Sequence, residues 1–284
     1  MGYHKIEPLE RLRPYVESIW IQEDLRDASK EAFAPTTIIP TTRIDMLFFY
    51  RDPFWDVNGN AKTVFPRFFL LGQKTKPNQV AASGQTGVII FSFKPCGAFP
   101  FFKLPLNECI DQSIPLRDIV KPERICRIED QVLHAASCFE KVVILQNFLV
   151  DQLEENVFDV QILRSAHQIN QQMGSVQIDG LARSVCLGRR QYERRFRQSI
   201  GMSPQKFASV IRFQKALLMQ QQGWHWADII DACGYYDQSH FIKEIKTYSG
   251  LSPRRILTEP QPTRLKSYFN NAPGMSQFYN TLYL

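Results

Sequence analysis

Gly201-Met202-Ser203-Pro204 recurs 49 residues later as Gly250-Leu251-Ser252-Pro253. Self-similarity at such a period means one supersecondary unit used twice. Before each copy lies an amphipathic segment: Arg189–Ile200 carries Tyr192 and Phe196 on one face, and Asp237–Ser249 carries Phe241 and Ile245. Adding 49 to 192 and 196 gives 241 and 245, so the register holds. Upstream of each sits a short helix and a turn, Ile178–Val185 with Cys186-Leu187-Gly188 and Trp226–Cys233 with Gly234-Tyr235-Tyr236. The second turn is one residue longer.

A short helix, a tight turn and a helix with one buried face form the helix-turn-helix pattern. The first helix holds the second at a fixed angle, and the second enters the major groove, which is about 12 Å wide and admits a helix. Burying Tyr192 and Phe196 turns Arg190, Glu193, Arg194 and Arg197 outward; burying Phe241 and Ile245 exposes Gln238, Ser239, Ile242 and Lys243. Arg suits guanine, Gln adenine and Glu cytosine. The stretch Pro204–Gln222, with apolar Phe207, Val210, Ile211, Phe213, Ala216, Leu217 and Leu218, reads as one rod joining the units. It would hold both reading helices on one side of a duplex, in grooves roughly 34 Å apart. Arg183, Arg189, Arg197, Lys206, Arg212, His240, Lys246, Arg254 and Arg255 are the candidate phosphate contacts.

The charge supports an anionic partner. Residues 1–158 hold 18 Lys/Arg and 20 Asp/Glu, and residues 159–284 hold 16 and 8, so the halves carry −2 and +8 of the net +6. A basic half suits nucleic acid or a membrane surface. The nine residues from Arg189 to Arg197 include five arginines, whose planar forks donate paired hydrogen bonds to phosphate or guanine.

The string Ala232-Cys233-Gly234-Tyr235-Tyr236-Asp237-Gln238-Ser239-His240-Phe241, then Lys246 and Gly250-Leu251-Ser252-Pro253, closely resembles the second helix-turn-helix signature of the AraC/XylS family of bacterial transcription regulators. Leu181-Ala182, Tyr192, Arg195-Phe196 and Gly201-Met202-Ser203-Pro204 resemble the first. The resemblance covers about residues 159–258. It implies seven short helices reading adjacent major-groove segments, with base contacts at Arg190, Glu193, Arg194, Gln238, Ser239 and Lys243. It also implies transcription regulation, activation by family habit, and double-stranded DNA and RNA polymerase as partners; a small-molecule effector and a homodimer stay open. Two positions depart from the family pattern. Cys186 stands where Gly is usual, so that turn is expected to differ in shape, and Ile230 stands where Ala is usual.

Residues 1–125 read as mostly β: short apolar runs such as Ile44–Tyr50, Val64–Leu71 and Val88–Phe93 recur between Pro and Gly. Ile39-Pro40, Asp45-Met46-Leu47, the run Phe93–Phe102 and Leu116-Arg117-Asp118 resemble the N-terminal domain of one branch of these regulators, which implies a cupin-like sensor barrel. From about Ile128 to Leu153 the apolar spacing turns to threes and fours, a helix that could link the domains, pair with its twin, or pack on its own barrel. The expected organisation is α+β: a β sensor in 1–125, a linker or dimerisation helix in 126–158, an all-α DNA-binding domain in 159–258, and a flexible tail in 259–284.

Other chemistry finds little support. Metal cupins need a histidine cluster, and His4 is the one histidine in residues 1–125. No nucleophile elbow, phosphate loop or dinucleotide fingerprint appears, so neither enzyme activity nor a metal or cofactor is expected. The six cysteines form no Cys-x-x-Cys pair, the start lacks an apolar secretory stretch, and no apolar run reaches the roughly 20 residues that cross a bilayer, so a reduced cytoplasmic protein is expected. The competing reading is a DNA-targeted repair or sensor protein with Cys96 as reactive thiol beside Lys94. Phe48, Phe49, Phe54, Trp55, Phe68, Phe69 and Phe91 could line an apolar pocket or be plain core.

Overall fold

The computed structural model describes residues 2–26, 35–58, 62–154 and 159–258. They fall into two compact units. The first takes residues 2–26, 35, 43–58, 62–72 and 79–154; the second takes 36–42, 73–78 and 159–258. The tail expected in 259–284 lies outside the described residues.

In chain order the strands are β1 (Gly2–Ile6), β2 (Val16–Asp24), β3 (Thr36–Ile38), β4 (Asp45–Phe49), β5 (Phe54–Asp56), β6 (Thr63–Val64), β7 (Phe68–Leu71), β8 (Asn78–Ala82), β9 (Thr86–Phe93) and β10 (Ser113–Pro115). In the first unit an antiparallel sheet runs β1-β2-β9-β4-β7-β10, and β8, β5 and β6 lie side by side in a second sheet. The run expected as one strand over Val64–Leu71 splits into β6 and β7 around Pro66, which has no N–H to give a ladder.

Alternation along β4 and β7 sends apolar side chains to both faces. Met46, Phe48, Phe68 and Leu70 join the main core with Ile19, Ile89 and Phe91. On the other face Phe49 packs against Phe54 and Phe69, and Phe65 stacks on Phe69 at 5.5 Å. Phe48, Phe49, Phe68, Phe69 and Phe91 are therefore core, while Phe54 and Trp55 are half-buried.

The helices of this unit are α1 (Phe99–Phe102), α2 (Pro122–His134) and α3 (Cys138–Gln152). The single stripe expected from Ile128 to Leu153 is thus two helices. The break is a variant of the capping box: the Ser137 hydroxyl accepts from the Glu140 N–H at 3.1 Å, and the Glu140 carboxylate reaches one residue past the cap to accept from the Ala136 N–H at 2.8 Å. Val132 of α2 and Val142, Leu145, Phe148 and Leu149 of α3 are buried in the sheet's own core.

The second unit contains seven described helices: α4 (Val160–Gln171), α5 (Ile178–Ser184), α6 (Arg189–Ile200), α7 (Pro204–Gln221), α8 (Trp226–Ala232), α9 (Gln238–Ser249) and α10 (Pro253–Thr258). α7 is its rod, buried along most of its length from Phe207 to Met219. The stretches 36–42 and 73–78 belong to this unit too. The Gln73 amide donates to the Thr42 carbonyl at 2.8 Å and to the Ile200 carbonyl, at the end of α6, at 2.7 Å. The Gln214 amide on α7 donates to the Pro40 carbonyl at 3.0 Å. No helix among the described residues is long and apolar enough to cross a membrane.

Candidate nucleic-acid interface

The repeated Gly-x-Ser-Pro is a helix stop followed by a helix start. Gly201 and Gly250 end α6 and α9 with φ of 111° and 76°, a region that glycine enters without a Cβ penalty. Ser203 then caps α7, its hydroxyl accepting from the Lys206 N–H at 3.3 Å, and Pro204 takes the first helical position. In the second copy the Ser252 hydroxyl accepts from the Arg255 N–H at 3.4 Å ahead of Pro253.

α5 and α6 form the first helix-turn-helix, α8 and α9 the second. The two turns leave their first helices in the same way. Cys186 N–H bonds the Arg183 carbonyl and Leu187 N–H the Ala182 carbonyl; Gly234 N–H bonds Asp231 and Tyr235 N–H bonds Ile230. Cys186 sits at φ 56° and Gly234 at φ 67°, so the cysteine adopts the left-handed conformation instead of changing the turn. The difference between the turns comes one step later, in the extra residue before Asp237, whose carboxylate caps α9 by accepting from the His240 N–H at 2.7 Å.

The second helix of each unit, α6 and α9, has 12 residues. Tyr192 and Phe196 bury the inner side of α6, and Phe196 meets Phe207 of α7 edge-on at 5.5 Å. Phe241 of α9 packs on Trp226 at 5.2 Å and Tyr235 at 5.0 Å, while Tyr248 packs on Phe213 of α7 at 5.1 Å. Arg190, Arg194, Gln238, Ser239 and Lys243 are exposed, and Glu193 is half-buried at the surface with its carboxylate 3.1 Å from Arg189 Nε.

The two helices are braced by different chemistry. The Arg195 fork of α6 binds the Asp159 carboxylate at 2.8 and 2.7 Å, and Asp159 also caps α4 through the Ile162 N–H. This pairing raises the guanidinium's proton affinity. The Tyr192 hydroxyl bonds Ser165 of α4; burial pushes that phenol up to about 12, against the lowering effect of the serine bond. On α9, Glu244 is buried and receives Arg212 of α7 at 3.2 and 3.0 Å and the Ser209 hydroxyl, and Tyr248 donates to Ser209 at 2.9 Å. Burial works against the Arg212 charge, and the Glu244 carboxylate outweighs it, so its pKa rises overall. The guanidinium also lies 4.9 Å from the Tyr235 ring centroid.

These contacts sort the phosphate candidates. Arg212 faces inward and is committed to Glu244. His240 Nε2 is drawn to the same carboxylate at 3.6 Å, one helical turn away, and Lys206 sits 4.4 Å above the Tyr248 ring. Arg189 is exposed but paired with Asp179 and Glu193. Arg183, Arg197, Lys246, Arg254 and Arg255 are exposed. Sequence reading missed Asp159, Ser165, Ser209 and Glu244. A signal for Glu244 existed, because a carboxylate between Phe241, Ile245 and Tyr248 on a buried face requires a partner.

Cys96, the candidate reactive thiol, is 3% exposed in the first unit, which shields it from a macromolecular substrate. Among the described residues no three His, Cys, Asp or Glu gather as metal ligands.

A helix-turn-helix domain family matches residues 181–259, and a family described as a domain of unknown function (DUF6597) matches residues 4–115. An HTH-type transcriptional regulator of Haemophilus influenzae is 40% identical over 78 residues, covering 27% of this chain and 26% of that protein. The HTH-type transcriptional regulators GbdR of Pseudomonas aeruginosa and MtrA of Neisseria gonorrhoeae are 31% and 32% identical, over 28% and 29% of this chain and 22% and 28% of theirs. The chain therefore spans about a quarter of the length of the curated relatives it matches. Among solved structures, ToxT from Vibrio cholerae has a TM-score of 0.42 at 9% identity, covering 90% of this chain and 98% of that one, a likeness too loose to argue from.

Proposed function

We propose, taking the chain as a member of the AraC family by its paired helix-turn-helix units, that it is a sequence-specific DNA-binding transcription regulator. The observation that carries this reading is the pair of 12-residue helices in 49-residue register, each buried on one side and polar on the other. Arg190, Glu193 and Arg194 read bases in one groove segment; Gln238, Ser239 and Lys243 read them in the next. Arg183, Arg197, Lys246, Arg254 and Arg255 hold the phosphates, joined by Arg189 when a phosphate replaces Asp179.

In this reading the strand-rich unit senses a signal, a small molecule being the natural class, and the regulator activates transcription in the cytoplasm through RNA polymerase. α2 and α3 are the candidate coupling or dimer element.

The test starts from the full chain and a random duplex pool. Selection is expected to return a two-part motif, and affinity for it to fall by about a thousandfold between about 50 and 200 mM salt, because each neutralised phosphate releases condensed counterions. A flat salt response, or a pool that never enriches, sinks the reading.

A further inference from the structure

The outer side of α9 holds one residue that is neither a hydrogen-bonding group nor an ion. Ile242 is 39% exposed. At about 100° per residue, placing Gln238 at zero puts Ile242 at about 40°, Lys246 at about 80°, Ser239 at about 100° and Lys243 at about 140°. Ile242 therefore lies on the flank of the outward face, between exposed Lys246 and the buried arc that ends at Ser249, at about 20°. Phe241, Glu244, Ile245, Tyr248 and Ser249 form the buried side.

A single exposed apolar side chain whose helical neighbours are exposed Gln238, Ser239 and Lys246 and buried Ile245 is a poor docking patch for another protein, which wants contiguous apolar area. It fits a surface that is polar apart from one small apolar group. The major groove is such a surface, and the C5-methyl of thymine is that group. In the 49-residue register the counterpart of Ile242 on α6 is Glu193, a carboxylate matched to the cytosine amino group instead.

We propose that Ile242 is a specificity residue that selects thymine by contact with its methyl group. The proposal rests on the DNA-reading function above. Uracil differs from thymine by that methyl alone, so replacing each thymine of the selected site in turn with deoxyuridine isolates the contact.

With the full chain, one thymine in the half-site read by α9 is expected to stand out. Its replacement should weaken binding about three- to tenfold, the scale of one lost buried apolar carbon contact. Ile242→Ala should bind the thymine and uracil duplexes alike, with unchanged thermal melting. Should the pool yield a motif whose every thymine tolerates uracil, or a half-site without thymine, Ile242 has no such role while the DNA-reading function stands. If Ile242→Ala remains as sensitive to uracil as the parent, another residue makes the contact. Should no sequence enrich at all, the function itself fails and takes this proposal with it.

Discussion

The two helix-turn-helix units share a backbone plan and differ in what fills it. On α6 the outward residues in register are Arg189, Arg190, Glu193, Arg194 and Arg197; on α9 they are Gln238, Ser239, Ile242, Lys243 and Lys246. The first face is dense in charge and the second mixes amide, hydroxyl, alkyl and ammonium. Their supports differ as well. α6 leans on α4 through an Arg195–Asp159 pair that is partly open to water, while α9 leans on α7 through a more deeply buried Glu244–Arg212 pair. The scaffold thus fixes where a helix lies and leaves both its reading chemistry and its anchorage free to diverge.

The largest effect should come from the anchors. Glu244→Ala strands Arg212 in a site where its charge has lost its partner, and about 2–4 kcal/mol of stability should go with it. Asp159→Ala removes a helix cap and a more solvated pair, and should cost about 1–2 kcal/mol. Urea denaturation of both variants measures the gap, and equal losses would erase the distinction between the two supports.

Next comes the reading itself. Arg194→Ala should cost about 1–3 kcal/mol on the selected duplex and relax preference at one base position. Lys243→Ala should do the same in the other half-site. Weakening that is uniform over all sequences would turn either residue into a phosphate contact.

The turns come last, with the smallest effect at Cys186. Gly234→Ala forces a Cβ into the left-handed region and to within 2.8 Å of the Ser175 hydroxyl oxygen, and should cost about 1–2 kcal/mol. Cys186→Gly should gain about 0.5 kcal/mol at the matching place. A loss in thermal melting for Cys186→Gly would mean that the thiol makes a contact outweighing its backbone strain.

The repeat, the places of the turns and the outward faces are legible in the sequence because each is written in local signals: Gly at a left-handed stop, Ser at a cap, Pro at a first turn, large apolar residues four apart. The shape of the first turn is not, since Cys186 takes the left-handed conformation expected of Gly. Arg212 reads in the sequence as one more phosphate candidate of the basic half; its partner Glu244 lies 32 positions away on another helix. Asp159 and Arg195, 36 apart, were hidden for the same reason. The break between α2 and α3 carries neither Gly nor Pro, yet Ser137 and Glu140 spell a capping box that periodicity alone overlooks.

The stretches 36–42 and 73–78 also bear on how the reading unit can be studied. One amide, that of Gln73, ties Thr42 to the last carbonyl of α6, and Gln214 ties α7 to Pro40. A fragment excised at residue 158 keeps all seven helices but loses both tethers, baring the Ile200 carbonyl and the Gln214 amide to solvent. Affinities obtained on such a piece describe a molecule with two cut stays. The covalent order of the chain and the mechanical integrity of its helical unit are separate things here.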